Sequence, residues 1–260
     1  MAKENYYDDF KGIVLFTRKY RDKDMMVKIF TREFGKRMFF LRHIQSQKNH
    51  FRTAAQPFVQ ADFIGRINRE GLSFLNDYSN LVFPSQIIQD IDRHAHAAYL
   101  ASLVDASMED GDLDPALFDL FQGAVTCLNQ DFEPEIITNI FELQILPKFG
   151  STPYLAGCVY CHQDQGAFDY SMKYHGLLCP QHFHLDDRRL HWSGRTGYFV
   201  RLLSQITYQQ LGKISLQTET KLALRQAIDQ LYEEYVGLHL KTRSFLDQLA
   251  RLKTGPAEKD

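Results

Sequence analysis

The chain has no run of about 18 apolar residues, so a membrane-spanning helix is not expected. Its opening, Met-Ala-Lys-Glu-Asn-Tyr-Tyr-Asp-Asp-Phe, lacks the apolar stretch that a signal peptide needs. None of the 10 histidines has Glu two residues later, and H-E-x-x-H is missing. Those gaps remove the zinc-deaminase and the commonest metalloprotease patterns. Neither Gly-Lys pair runs on into Ser or Thr: Gly35-Lys36 precedes Arg37, and Gly212-Lys213 precedes Ile214. ATP hydrolysis at a Walker-type loop is therefore not expected. Cysteine is scarce too, with 4 in 260 residues.

Three of those four stand in one pattern. Cys158-Val-Tyr-Cys161 is followed after residues 162–178 by Cys179-Pro-Gln-His182, a C-x2-C-x17-C-x2-H frame. Thiolates and an imidazole at such spacing can close a tetrahedron around zinc. His162, His175 and His184 lie near enough in sequence to compete with His182 as the fourth ligand. A disulfide between two of the cysteines is the rival reading, but it calls for an oxidising compartment. Reduced thiols point to the cytoplasm. Four protein ligands leave no open position for water, which favours a structural over a catalytic metal. Cys127, in an apolar run, reads as a buried small hydrophobe.

Net charge, −2 overall, hides a strong asymmetry. Residues 1–80 hold 15 Lys and Arg against 9 Asp and Glu; residues 81–147 hold one Arg against 12 acids. A basic head followed by an acidic middle suggests a polyanion as the head's partner.

The head reads as strands: Gly12–Thr17, Met25–Thr31, Lys36–Arg42, Phe58–Gly65 and Leu72–Val82, joined by short polar links. Five short strands without a helical pattern suggest a small barrel or sandwich, of which the OB type is one. Residues 34–61 contain Lys36, Arg37, Arg42, Lys48 and Arg52 with no Asp or Glu. Gln45, Ser46, Gln47 and Asn49 make the loop after the third strand polar. Cations on such a loop suit a groove that follows a phosphate backbone, and Phe39, Phe40, Phe51 and Phe58 are near enough to offer base-stacking faces. For each phenylalanine taken singly, a core position is the better reading. Five phosphate contacts on single strands would give a salt slope near ~−3.5.

After Pro84 the apolar period becomes helical. Helices are expected from Ile87, after Asp112 and Asp114 with Pro115 at the start, and after Pro134, the last ending near Pro147 and Gly150. Two more should cover 197–211 and 219–253, with Gly237 a place for an interruption or a kink in the second. The resulting organisation is 1–82 barrel, 83–150 helical, 151–192 metal module, 193–253 helical and 254–260 tail. The acidic helical face would repel nucleic acid, so it is either solvated or a contact for a basic protein.

Taken together, several pieces resemble the RecO family of bacterial recombination and repair proteins. They are Lys11-Gly-Ile-Val-Leu-Phe-Thr-Arg18, Tyr20-Arg-Asp-Lys-Asp24, Phe30-Thr-Arg-Glu-Phe-Gly-Lys36, Gln56-Pro-Phe58, Phe141-Glu-Leu143 through Phe149-Gly150, the clamp with Gly176-Leu-Leu-Cys-Pro180, and His239-Leu-Lys-Thr-Arg-Ser-Phe-Leu246. The resemblance implies an α+β protein: an N-terminal OB-fold barrel, then an all-α domain with an inserted zinc module. It implies binding of single- and double-stranded DNA, annealing, and cooperation with RecR and the single-strand-binding protein to load RecA. Carried over, Lys36, Arg42, Lys48 and Arg52 would touch DNA and Cys158, Cys161 and Cys179 would hold zinc. His182 stands where the family more often has Cys. For capture of a single-strand-binding-protein tail, Lys148, Arg188, Arg189 or the C-terminal cations are better candidates than residues 84–142.

Two other classes compete. A zinc-containing sequence-specific regulator would present a basic helix to the major groove, yet residues 162–178 contain one cation, Lys173. A metal-dependent enzyme would need an acid or base beside an open site, for which Asp164 and Asp169 are the candidates.

Overall fold

The computed structural model describes residues 7–44, 46, 48–212 and 216–254. Gln45, Gln47 and the tail 255–260 lie outside these. The chain divides into two compact units, Met1–Gln130 with Leu240–Asp260, and Asp131–His239.

In the first unit β1 (Asp8–Tyr20), β2 (Asp24–Thr31), β3 (Gly35–Leu41), β4 (Gln60–Arg66) and β5 (Phe74–Val82) form one antiparallel sheet in the order β3-β2-β1-β4-β5. The sheet curls until β3 meets Ser73, the residue before β5, at one parallel bridge with Phe39 and stays otherwise open. There the Phe40 N–H donates to the Ser73 carbonyl at 3.0 Å and the Ser73 N–H to the Met38 carbonyl at 2.8 Å. A five-stranded barrel left partly open is the OB-type solution to sheet edges.

Alternation along the strands fills the barrel. Phe10, Val14, Val27, Ile29, Phe39, Leu41 and Phe63 point inward, and the Phe10 ring lies 5.6 Å from Phe39 and 5.9 Å from Phe63. The loop between β3 and β4 closes one end with Ile44, Ala54, Ala55 and Val59. Phe39 and Phe58 are buried, so they are core and not base-stacking faces.

The helices are α1 (Ser85–Gln89), α2 (Ile91–Ala106), α3 (Pro115–Leu128), α4 (Pro134–Ile145), α5 (Gly194–Gln205), α6 (Thr218–Tyr235) and α7 (Lys241–Thr254). Their starts are written in the sequence. Asp90 accepts from the N–H groups of Asp92 and Arg93, Asp114 from Leu117 with Pro115 following, and Ser193 from Thr196. In the first unit α7 is joined to α2 by the Ser102 and Thr242 hydroxyls, 2.7 Å apart, and by Arg243 over the Tyr99 ring. The single helix expected over 219–253 is two. Gly237, at φ +60°, adopts the left-handed conformation that ends helices and terminates α6.

In the second unit the buried Glu142 of α4 receives both Nη groups of Arg225 on α6, at 2.5 and 3.2 Å. Gln144 donates to the Ile206 carbonyl after α5 at 2.7 Å. A small sheet of β6 (Tyr154–Cys158), β8 (Gly176–Leu178) and β7 (Asp169–Ser171) carries the cysteine pattern.

Candidate nucleic-acid interface and metal centre

The outer face of the barrel sheet is read from its register. Across β1, β2 and β3, Ile13, Phe30 and Lys36 form one row, and Phe16, Lys28 and Met38 the next. Arg18, Met26 and Phe40 form a third, and Tyr20 faces Asp24 beyond it. The first row is covered: the Phe30 ring packs against Phe118 and Phe121 of α3, at 5.4 and 6.5 Å. Past the second row the face opens to solvent. Tyr20 is 40% exposed and meets Phe40 edge-on at 5.6 Å. The Arg18 guanidinium lies over Phe16, Arg21 over Tyr20 and Arg42 over Phe40, at 4.9, 5.3 and 5.9 Å. Aromatic planes interleaved with cations are the surface on which bases stack while phosphates are neutralised.

The structure separates the expected cations. Arg42, Lys48 and Arg52 are exposed, and Asn49 ties their loop together by donating to the Arg42 carbonyl at 3.0 Å. No carboxylate among the described residues pairs with these three. Lys36 is a correction. It is 2% exposed, and its Nζ donates to the Asp105 carbonyl and carboxylate at 2.5 and 3.0 Å, so its charge is spent inside the fold. Arg37 is half-buried and engaged by the carbonyls of Phe34 and Arg69 at 3.0 and 3.1 Å. The stretch free of acids in sequence is not free of them in space. Asp77 meets His50 at 2.9 Å, and that hydrogen bond holds the Asp77 carboxyl below its ordinary value. Asp24 accepts the His43 N–H at 3.0 Å.

Arg18, Tyr20 and Arg21 were not anticipated. Their signal is the alternation Phe16-x-Arg18-x-Tyr20, which continues β1 three residues beyond Thr17.

The second site is the clamp. Cys158, Cys161, Cys179 and His182 bring their donor atoms within 4.8 Å of one another. Cys179 Sγ lies 3.2 Å from His182 Nδ1, Cys158 Sγ 3.6 Å from the same nitrogen, and Cys161 Sγ 3.8 Å from Cys179 Sγ. A tetrahedron with bonds of 2.0–2.3 Å has edges of about 3.3–3.8 Å, so the spacing fits a metal of zinc's size. The rival histidines are elsewhere: His162 Nδ1 meets the Tyr154 hydroxyl at 3.3 Å and His175 Nδ1 that of Tyr235 at 3.2 Å. His184 is not among the gathered donors. All four cysteines are free thiols, so no disulfide competes.

Local backbone builds this geometry. The Cys158 N–H donates to the Gln163 carbonyl and the His162 N–H to the Cys158 carbonyl, both at 2.8 Å, closing a knuckle in which His162 takes φ +60°. Burial pushes the Cys158 thiol up, but N–H groups of Cys161, Cys179 and Tyr160 aimed at its sulfur outweigh it and bring it to about 6. Burial and the two neighbouring thiols push Cys179 up to about 11. Cys158 is thus favoured as a thiolate near neutral pH, while Cys179 keeps its proton unless a cation sits beside it, which is the chemistry of a metal-binding set. Cys127 is buried and its thiol raised by burial, as a core residue.

An OB-type barrel with an open cationic and aromatic face, in a chain that also carries a Cys3His clamp, is the build of a nucleic-acid-handling protein. Comparison with known proteins makes this specific. The family described as Recombination protein O N terminal matches residues 7–81, and Recombination protein O C terminal matches 88–244. A protein named DNA repair protein RecO from Enterococcus faecalis is 46% identical over 254 residues, covering 96% of this chain and 97% of that one. Its namesakes from Lactococcus lactis and Streptococcus sanguinis are 43% and 41% identical over 92% of this chain. The chain belongs to the RecO family of DNA repair and recombination proteins.

Proposed function

We propose that the chain is a non-enzymatic mediator. It binds single- and double-stranded DNA, anneals complementary strands and, with RecR, helps place RecA on strands covered by single-strand-binding protein. It works in the cytoplasm, at the nucleoid. The observation that carries this reading is the open outer face of the barrel, where Arg18, Tyr20, Phe40 and Arg42 share one surface. Bases stacked on Tyr20 and Phe40 keep their pairing edges free, while Arg18, Arg42, Lys48 and Arg52 lower the repulsion between two phosphate backbones.

The clamp holds zinc as a staple, since thiolates with one imidazole are a zinc donor set. Supporting a structural role, Asp164 is engaged by Arg201 at 3.3 Å and Asp169 by Arg189 at 2.9 Å, so neither is poised as a base beside the metal. That pairing argues against Arg189 as a contact for an acidic protein tail and leaves the exposed Lys148 and Arg188 and the C-terminal cations.

Annealing of complementary oligonucleotides, run without ATP, tests the reading. Neutralising Arg18, Arg42, Lys48 and Arg52 to Gln should weaken single-strand binding about a hundredfold at 0.1 M salt and flatten the salt slope by about 2.8. Annealing should slow in parallel, and ATP should change neither protein. A quadruple variant that binds and anneals like the parent overturns the proposal, as does annealing that depends on ATP.

A further inference from the structure

Between α2 and α3 the loop Met108-Glu-Asp-Gly-Asp-Leu-Asp114 lies along the barrel as an added edge. Asp110 forms a parallel bridge with Lys36, and the Gly111 N–H donates to the Lys36 carbonyl at 3.0 Å. Contact is tight on both sides. A Cβ on Gly35 would stand 2.0 Å from the Asp112 carbonyl oxygen, and one on Gly111 would stand 2.9 Å from the Arg37 guanidinium. The loop and the helix ends beside it consume the cations at this end of the sheet. Lys28 donates to both Asp110 carboxylate oxygens at 2.5 Å, Lys36 lies 3.0 Å from Asp105, and Arg32 pairs with Asp119 at 2.9 Å. Glu109 and Asp112 are exposed beyond these pairs.

The position matters because of the register. Lys28 stands in the row next to Arg18, Met26 and Phe40 on the same face. Same-face neighbours on a strand are about 7 Å apart, less than the screening length of about 8 Å at physiological salt. The Asp110 carboxylate, seated on Lys28, is therefore within reach of a phosphate that enters the open row, and the exposed Glu109 and Asp112 lie beyond it toward Gly35.

We propose that loop 108–114 is an electrostatic end-stop. It terminates the DNA track at the Arg18–Met26–Phe40 row and holds single strands to the open half of the sheet. The inference rests on the DNA-binding reading of that face. With Lys28 and Lys36 already paired to acids, a strand that continued past the row would meet negative charge in place of cations.

The test neutralises Glu109 and Asp112 and leaves the ion pairs of Lys28, Lys36 and Arg32 intact. Glu109→Gln with Asp112→Asn should bind single-stranded oligonucleotides about threefold more tightly at 0.1 M salt, with the gain fading by 0.5 M. The shortest oligonucleotide that saturates the protein should become longer. Glu109→Lys should give a gain in the same direction. Unchanged affinity and unchanged minimum length in both variants overturn the end-stop, as does a gain that survives high salt. A parallel Arg18→Gln/Arg42→Gln variant separates the two ideas. If it binds as tightly as the parent, the DNA face itself has been misassigned. If it binds weakly while the acid variants match the parent, only the end-stop fails.

Discussion

The barrel and the clamp module keep their shapes by different means. Barrel strands run 7 to 13 residues and enclose a continuous apolar core, with Phe10, Phe39 and Phe63 stacked at its centre. The module's strands are 5, 3 and 3 residues long, and its buried apolar side chains are few, among them Leu155, Phe168, Tyr170, Leu177 and Leu178. So little burial cannot offset the entropy of ordering such a segment, and small units of this kind rely on a metal or another cross-link. The difference shows in where charged and reactive groups sit. In the barrel Arg18, Arg42 and Arg52 remain at the surface, while Lys28 and Lys36 are buried and spent on ion pairs with Asp110 and Asp105. In the module Cys158 and Cys179 are fully buried and face one another.

The sharpest break of that contrast is Cys158→Ala, or a chelator added to protein loaded with zinc. We expect a stability loss on the order of 5 kcal/mol, below the ~10–16 kcal/mol of isolated finger peptides because the helices of the second unit bring their own core. DNA affinity measured at 10 °C should stay within about twofold. Thermal melting and oligonucleotide titration on the same preparation check both. A larger loss in binding than in stability would give the clamp a direct part in DNA contact.

A second comparison sets two exposed tyrosines side by side. Tyr20 is on the barrel's open face and Tyr160, 62% exposed, lies between the first two cysteines. Tyr20→Ala should cost about 1–3 kcal/mol of single-strand affinity, the worth of one stacked base, with the salt slope unchanged. Tyr160→Ala should leave affinity alone. If the losses were exchanged, nucleic acid would belong to the module and the basic face would be a solvated rim.

How much of this was legible depended on how far apart the partners stand in sequence. The clamp could be read because its first and last ligands lie 24 residues apart and three share one rare side chain. Only the choice among four histidines needed coordinates, and distance to sulfur decided it. The class, α+β with five strands before the helices, could be read from the change of period at Pro84. Lys36 could not. Its partners Asp105 and Asp110 are 69 and 74 residues away, and nothing local distinguishes a solvated lysine from one destined for a buried ion pair. Arg18 and Tyr20 escaped for the opposite reason: a polar Arg-Lys-Tyr-Arg run looks like a link, yet a strand with one face in water is polar at alternate positions. The break at Gly237 was visible as a glycine and became a helix end only through its left-handed φ.

The smallest effect expected is at Ser171, which separates the module's hydrogen bonds from its metal. Its hydroxyl donates to Asp186 at 2.5 Å, and the Arg188 N–H donates to the same carboxylate at 2.9 Å, tying β7 to the segment after His182. The Ser171 bond, ahead of the Arg188 amide, holds the Asp186 carboxyl below its ordinary value. A carboxylate with a lowered folded value contributes stability that is complete above the ordinary value, near 4, and is lost as pH falls through the lowered one. Ser171→Ala should therefore cost about 1–2 kcal/mol, and the cost should be the same at pH 8, 6.5 and 5. Metal affinity behaves otherwise, falling across that window as the thiols and imidazole compete for protons. Urea melts of parent and variant at the three pH values distinguish the two. A penalty that shrinks from pH 8 to pH 5 in step with metal release would mean that Ser171 acts only by positioning the clamp, and the module would have no stability apart from its metal.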